Sequence, residues 1–124
     1  MQIYLVRHTT PSIKNGICYG QTDVDLNFDT FESEFCDIND KLPPEIDRFY
    51  CSPLMRCSKL AERLAKEIQI DDRLMELDFG SWENKKWSEI DNQELSNWMI
   101  NFVNVFTDDN TLQDKYSLQC ESFI

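Results

Sequence analysis

The segment from residue 48 to residue 68 changes abruptly from a β-rich run to a helical pattern. Residues 48–51 include two aromatic side chains, and the Ser52-Pro53 pair that follows is typical of a helix start, with serine as the N-cap and proline as the first residue. Apolar residues then recur at helical spacing, at Leu54, Leu60, Ala61, Leu64, Ala65 and Ile68. The segment predicts a strand–turn–helix unit, which favours folds that place helices on a sheet.

Other segments continue this alternation of strands and helices. Residues 2–6 alternate in a β-rich stretch and predict a first strand, which stops at the polar residues before Pro11. Residues 29–41 predict a helix, residues 70–74 a third strand, and residues 82–105 amphipathic helices. The order β, α, β, α, β, α predicts the α/β fold class, with helices on a largely parallel sheet.

The size and charge of the chain limit its organisation and its partners. Its 124 residues, of which 41% are apolar, predict a single domain over residues 1–124, with a poorly patterned tail over residues 107–124. The net charge of −11 disfavours nucleic acid and anionic membranes as partners, because both carry negative charge. Any phosphate site must therefore be a local cationic pocket.

The sequence also indicates a compartment. No apolar run approaches the roughly 20 residues of a membrane span. Residues 2–6 follow Met1 directly, without the pattern of a secretory signal peptide. The five cysteines form no CxxC pair and no zinc-ligand spacing with histidine, which favours reduced, mostly buried thiols. We expect a cytoplasmic protein.

Chemically active side chains follow the ends of the predicted strands. They are Arg7 and His8 after the first strand, Ser52 and Arg56 after the second, and Glu76 after the third. In open α/β sheets, ligands bind beyond the carboxyl ends of the strands. Guanidinium groups match phosphate oxygens, an imidazole can accept a phosphoryl group, and a carboxylic acid can protonate a leaving alkoxide. Together these residues predict an anion site.

Each of these residues also has a structural interpretation. A histidine after a strand is more often a hydrogen-bonded structural group, and an arginine in the first turn of a helix is usually exposed or in a salt bridge. A glutamate after a strand is usually solvated or caps the next turn. Their occurrence at equivalent positions of successive β-α units nevertheless favours a shared site.

Three motifs resemble the signatures of one enzyme family. Residues 5–10, with the sequence LVRHTT, resemble the RHG-type signature of the histidine phosphatase (phosphoglycerate mutase-like) superfamily. Residues 51–57 resemble its SPLxRA segment, and residues 74–83 resemble its acidic loop. The resemblance covers residues 1–105 and implies a three-layer α/β/α fold with a mostly parallel sheet.

The resemblance implies a metal-independent phosphomonoesterase that uses no cofactor. His8 would be the catalytic nucleophile and form a phosphohistidine, and Glu76 would donate a proton to the leaving oxygen. Arg7 and Arg56 would bind the phosphate oxygens of the substrate. Guanidinium groups can neutralise charge in place of a magnesium ion, so no metal is expected.

The loop Tyr19-Gly20-Gln21 supplies weaker candidates for binding the substrate phosphate. The family's loop at this point often offers a hydroxyl or a backbone amide, and Gly20 would permit close approach. Thr9 in place of the usual glycine, together with residues 16–23, most resembles α-ribazole phosphatases, which act in assembly of the cobalamin nucleotide loop. The expected partner is therefore a small phosphorylated metabolite.

The chain departs from the family in one respect. The resemblance implies a second pocket histidine after a later strand, but His8 is the only histidine in the sequence. Residues 120–123 faintly resemble the segment that precedes the next helix in relatives. We therefore expect that the chain lacks the C-terminal strand and helices, is poorly stable and has little phosphatase activity, since a lost strand exposes a sheet edge and an apolar face.

Two alternatives remain open at this point. The first is a phosphatase or mutase that acts on another small phosphorylated metabolite, although the short loops show no means of shielding a phosphohistidine from water. The second is a non-catalytic remnant that binds a phosphate ligand through Arg7 and Arg56 without turnover. Assembly into a homo-oligomer is also left open by the sequence.

Overall fold

The computed structural model describes residues 1–101. Its helices are α1 over Phe28–Asn39, α2 over Met55–Leu64 and α3 over Asn92–Asn101, and its strands are β1 over Tyr50–Cys51 and β2 over Gln69–Ile70. Short 3-10 turns lie at Asp72–Leu74, Gly80–Trp82 and Trp87–Glu89. The predicted tail over residues 107–124 and the end of the last predicted helix lie outside the described residues.

Strands β1 and β2 form a parallel ladder, in which Tyr50 pairs with Gln69 and Cys51 with Ile70. Helix α2 connects them, as parallel strands require, because the chain must return to the same end of the sheet. The predicted α/β class with a parallel sheet is confirmed. The second predicted strand is present but shorter. Of the third predicted strand, over residues 70–74, only Ile70 lies in β2, and a 3-10 turn covers Asp72–Leu74.

Helix α2 begins later than the sequence predicts. Ser52 was the expected N-cap and Pro53 the expected first residue, but the helix begins at Met55, and Leu54 has extended backbone angles. The Met55 amide donates to the Asp23 carboxylate at 2.7 Å, so a residue distant in the sequence satisfies the helix start. The predicted start is wrong because the local sequence does not reveal this partner.

Helix α1 confirms the helix predicted over residues 29–41. Asn27 caps its start, because the side-chain oxygen accepts a hydrogen bond from the Asp29 amide at 3.1 Å. The apolar face of α1 packs with that of α2 in a shared core, which consists of Leu26, Phe31, Phe35, Ile38, Leu60 and Leu64. This core supports the helix that carries Arg56.

Residues 2–6 form no strand in the described part of the chain, so the prediction of a first strand is wrong. They are all exposed, including Ile3 at 70% and Leu5 at 79%. A strand needs a neighbouring strand to pair its amides and carbonyls. The described ladder contains only β1 and β2, so apolar alternation alone does not produce a strand here.

The helical prediction for residues 82–105 is confirmed for residues 92–101, whereas residues 83–86 and 90–91 are not helical. The segment forms two pieces, a 3-10 turn at Trp87–Glu89 and helix α3. Asp91 separates them, and its carboxylate accepts hydrogen bonds from the Gln93 and Glu94 amides at 2.9 and 3.0 Å. Asp91 therefore caps α3 by satisfying amides that have no partner within the helix.

The chain divides into two compact units. The first unit comprises Met1–Ile13 and Asp23–Met75, and the second comprises Lys14–Thr22 and the described residues from Glu76 onward. The core shared by α1 and α2 belongs to the first unit, and the second unit has its own core of Cys18, Phe79, Trp82, Trp87, Ile90, Leu95 and Trp98. The single domain stays a prediction. Within residues 1–101, no helix is long and apolar enough to cross a membrane.

Candidate functional site

Arg7, His8 and Arg56 lie in the first unit. His8 is half-buried, and its Nδ1 atom is 2.7 Å from the carbonyl oxygen of Thr9. Because a carbonyl oxygen can only accept a hydrogen bond, Nδ1 carries the proton in this contact. When the ring is neutral, Nε2 is therefore the nitrogen that holds the lone pair, and the role of His8 as nucleophile stays a prediction.

The turn after His8 is held by an acidic residue of α1. The Thr10 amide donates to the Glu34 carboxylate at 2.8 Å. The Thr30 hydroxyl and the Thr10 amide hold the pKa of Glu34 below its usual value, and the charge of His8 lowers it further. Glu34 therefore places a negative charge near the imidazole. Nothing in the sequence around Glu34 indicates this contact, because the turn is distant along the chain.

Arg56 lies in the first turn of α2 and is only 1% exposed. Arg56 therefore does not lie on the surface, where an arginine in the first turn of a helix is usually found. Ser52 and Thr9 are also buried. A buried guanidinium keeps its charge and attracts anions strongly, because little water competes for it. Arg7 is exposed by contrast, and its phosphate-binding role stays a prediction.

Tyr19, Gly20, Gln21 and Glu76 lie in the second unit. The structure brings two of them together, because Nε2 of Gln21 donates to the backbone carbonyl of Glu76 at 2.9 Å. The Glu76 carboxylate is exposed and accepts a hydrogen bond from the Leu77 amide at 3.0 Å. This contact fits the structural interpretation of a glutamate that caps the next turn, and the role of Glu76 as proton donor stays a prediction.

A carboxylate that was not predicted as a site residue organises this loop. Oε1 of Glu83 accepts hydrogen bonds from the Gln21 amide at 2.8 Å and the Phe79 amide at 3.1 Å. Oε2 accepts from the Thr22 amide at 2.7 Å and also from the Thr22 hydroxyl. Glu83 ends the acidic motif of residues 74–83, which is the one sequence signal that could have indicated it.

Gly20 lies against the same carboxylate. Its φ is +31°, and a Cβ atom added there would clash with Oε1 of Glu83 and lie 2.5 Å from the carbonyl oxygen of Leu77. A side chain at this position would therefore be both strained and displaced. The absence of a side chain at Gly20 thus permits close approach to Glu83 and Leu77. Phosphate binding by Gly20, Tyr19 or Gln21 stays a prediction.

The buried thiols are unsuited to act as nucleophiles. Burial, and secondarily the charge of Glu83, raises the pKa of Cys18 to about 12. Burial likewise raises the pKa of Cys51 to about 11. Both thiols are neutral near pH 7, and the thiolate is the reactive form. In residues 1–101, no group of three or more histidine, cysteine, aspartate or glutamate side chains is arranged to hold a metal ion.

Comparison with known proteins identifies the family. The family model described as "Histidine phosphatase superfamily (branch 1)" matches residues 3–114. The chain belongs to this superfamily. A protein of Hydrogenobacter thermophilus that is named as a phosphoserine phosphatase is 32% identical over 110 residues, which cover 82% of this chain and 54% of that protein. The chain therefore spans about half the length of this relative.

Solved structures share the fold. The protein TTHB049 from Thermus thermophilus superimposes with a TM-score of 0.74 at 21% identity, over 95% of this chain and 68% of that one. A phosphoserine phosphatase mutant of Entamoeba histolytica, in complex with phosphoserine, has a TM-score of 0.65 at 21% identity, over 77% and 50%. A mycobacterial glucosyl-3-phosphoglycerate phosphatase has a TM-score of 0.59 at 22% identity, over 75% and 46%. These similarities confirm the predicted histidine phosphatase fold class.

Proposed function

We propose that the chain acts as a phosphomonoesterase that transfers the phosphoryl group of a small metabolite to His8. The observation that carries this proposal is the 2.7 Å contact between Nδ1 of His8 and the Thr9 carbonyl. It places the proton on Nδ1, so that in the neutral ring Nε2 is the nitrogen whose lone pair would attack phosphorus. Arg56, buried in the same unit, supplies a permanent positive charge for the phosphate oxygens.

In the proposed reaction, the Nε2 lone pair of His8 forms a bond to phosphorus while the bond from phosphorus to the ester oxygen breaks. Arg7 and Arg56 bind the non-bridging oxygens, and the carboxylic acid of Glu76 gives its proton to the departing oxygen. Water then attacks the phosphohistidine and gives a proton to the Glu76 carboxylate. Inorganic phosphate leaves, and the imidazole and the carboxylic acid are restored.

Two substrate classes are candidates. Thr9 and residues 16–23 support α-ribazole 5′-phosphate, from assembly of the cobalamin nucleotide loop. The Hydrogenobacter relative, which is named for phosphoserine and is 32% identical, supports phosphoserine instead. Both compounds are phosphate esters of primary alcohols, so the same nucleophile and the same proton donor serve either one. The two candidates therefore differ in the pocket for the alcohol part and not in the reaction.

The decisive experiment is to trap the covalent intermediate on the purified chain. The chain is mixed with α-ribazole 5′-phosphate, phosphoserine or glucosyl-3-phosphoglycerate and quenched in alkali, which preserves phosphohistidine. We expect a mass increase of one phosphoryl group at His8, and slow phosphate release, because the chain has a single histidine. The substrate that phosphorylates the chain fastest identifies its class.

His8→Ala is the matched control for this experiment. The variant should neither gain a phosphoryl group nor release phosphate, because no other imidazole is present in the sequence. Phosphate release at the original rate from His8→Ala would overturn the proposed mechanism.

Non-catalytic binding of a phosphate ligand is a second candidate, and the burial of the Arg56 guanidinium favours it. Equilibrium dialysis with inorganic phosphate tests it. Arg56→Met should abolish binding, whereas Glu62→Gln, at an exposed position on the same helix, should leave it unchanged. Phosphate binding by a chain that never forms phosphohistidine would favour this function over the enzyme.

We propose the cytoplasm as the compartment and a small phosphorylated metabolite as the partner. The free thiols of Cys18, Cys36 and Cys51 support a reducing compartment. The net charge of −11 supports a small anion held by a local site over nucleic acid or a membrane surface. Sedimentation velocity would test whether the chain forms the homo-oligomer that the sequence leaves open.

A further inference from the structure

We propose that Glu83 is a positioning residue, whose carboxylate holds the loop of residues 19–22 and, through it, the backbone of the proton donor Glu76. The inference rests on the proposed function, because it assigns a role relative to the proton transfer by Glu76. All the contacts that carry it lie within the second unit. Glu83 therefore acts on catalysis through another residue.

The hydrogen bonds of Glu83 occupy both oxygens of its carboxylate. A carboxylate offers about four lone-pair sites. Two donors reach each oxygen, the amides of Gln21 and Phe79 at Oε1 and the amide and hydroxyl of Thr22 at Oε2. Hydrogen bonds to a carboxylate are stronger than hydrogen bonds between neutral groups. Glu83 therefore has no remaining lone pair with which to accept a hydrogen bond from a substrate.

A second contact extends this network to Glu76. Gln21, whose amide donates to Glu83, also donates from its side-chain Nε2 to the Glu76 carbonyl at 2.9 Å. Phe79, whose amide donates to the same carboxylate oxygen, lies three residues after Glu76. The backbone that carries the proposed proton donor is thus held at the Glu76 carbonyl and again three residues later, by groups that Glu83 binds.

The local backbone aims the Glu83 carboxylate at this loop. The Glu83 amide donates to the Gly80 carbonyl at 3.1 Å, and the next residue, Asn84, has a left-handed φ of 66°. The Asn84 amide donates to the Cys18 carbonyl at 2.7 Å, and its side chain donates to the Thr22 hydroxyl at 3.3 Å. This arrangement is not that of a solvated surface glutamate, which would need no such partners.

Glu83→Gln tests the inference with two leaving groups. The glutamine side chain has nearly the same size as that of glutamate. Its NH₂ group, however, is a donor and cannot accept hydrogen bonds from the backbone amides that bind Glu83. We expect phosphorylation of His8 by the best alkyl phosphate of the panel to slow by at least about tenfold, because an alkoxide needs the proton. Phosphorylation by p-nitrophenyl phosphate, whose leaving group needs no proton, should slow by less than about twofold.

Two controls make this pattern specific. Glu76→Gln should give the same difference between the two leaving groups, and the double variant Glu76→Gln/Glu83→Gln should be no slower than Glu76→Gln alone. Glu62→Gln, an exposed glutamate whose partner is Lys59, should change neither rate. An equal loss of rate with both leaving groups in Glu83→Gln would show a merely structural role and overturn the inference.

Amide hydrogen exchange separates failure of the inference from failure of the proposed function. If the unmodified chain forms no phosphohistidine with any substrate, the proposed function fails. The role of Glu83 is then tested by the exchange rates of the Gln21, Thr22 and Phe79 amides. These amides should be protected in the unmodified chain and should exchange at least about tenfold faster in Glu83→Gln. Unchanged exchange at these amides would overturn the inference on its own.

Discussion

Residues 2–6 precede two predicted site residues and residues 19–22 include three, but the two segments differ in how their backbone groups are satisfied. Residues 2–6 are largely apolar and exposed, and they form no ladder within the described part of the chain. Residues 19–22 are largely polar, yet they are half-buried or buried, and the Glu83 carboxylate binds two of their amides. The difference shows that partners for the backbone, and not hydropathy alone, decide which segment is held in place.

The largest expected effect comes from truncating Trp82, which lies in the core of the second unit. Trp82 is buried, stacks edge-on with Trp98 at 6.2 Å and donates its indole N–H to Glu94 at 3.3 Å. Trp82→Ala should lower the free energy of unfolding by about 3–5 kcal/mol, because it leaves a cavity and an unpaired acceptor. Urea titration followed by far-UV circular dichroism measures this change. A loss below about 1 kcal/mol would contradict the packing described for the second unit.

A smaller effect is expected from the glycine at the centre of the loop. Gly20→Ala should lower the free energy of unfolding by about 1–3 kcal/mol, because the new methyl group meets Glu83 and the Leu77 carbonyl. Gly16→Ala is the control: Gly16 has a φ of +83°, but no atom lies within 4 Å of the added Cβ, so only strain of about 1 kcal/mol is expected. Equal losses in the two variants would show that the contact with Glu83 contributes nothing.

The pH dependence of stability should distinguish the buried thiols from the exposed one. The pKa of Cys18 rises from 9.0 in the unfolded chain to about 12, and that of Cys51 from 9.0 to about 11. The folded state keeps both thiols protonated, so their contribution is intact below pH 9 and is lost as the pH rises from 9 towards 11 and 12. Each thiol lowers the free energy of unfolding by up to about 1.4 kcal/mol per pH unit in that range.

Cysteine-to-alanine variants identify the source of this pH dependence. Cys18→Ala and Cys51→Ala should each flatten the decline of unfolding free energy above pH 9, as measured by urea titration. Cys36→Ala should not change it, because Cys36 is exposed. An unchanged slope in the first two variants would rule out the buried thiols as its cause.

The smallest effect on stability is expected in residues 2–6. Leu5→Ser removes an exposed apolar side chain and should change the free energy of unfolding by less than about 0.5 kcal/mol. It should instead reduce self-association, which sedimentation velocity would detect, because an exposed apolar segment favours contacts between chains. A loss of several kcal/mol in Leu5→Ser would mean that residues 2–6 are packed, which would remove the contrast with residues 19–22.

Much of the fold could be predicted because local patterns decide it. Helices α1 and α2 follow from apolar spacing and turn residues, and the strand–helix–strand order predicts the parallel ladder of β1 and β2. The motif of residues 51–57 predicts Arg56 as a site residue, and this role stays a prediction. The start of α2 could not be predicted, because the Met55 amide donates to Asp23, which lies in a different part of the sequence. Glu34 and Glu83 were missed for the same reason.

The sequence by itself determined the family, the α/β class and the identity of the proposed nucleophile. These properties depend on short motifs and on periodicities, which are local along the chain. Only the tertiary structure decided that Arg56 is buried, that Glu83 holds the loop of residues 19–22, and that residues 2–6 are exposed. Burial and hydrogen bonding depend on groups that are distant in the chain, and a strand pattern becomes a strand only where such a partner is present.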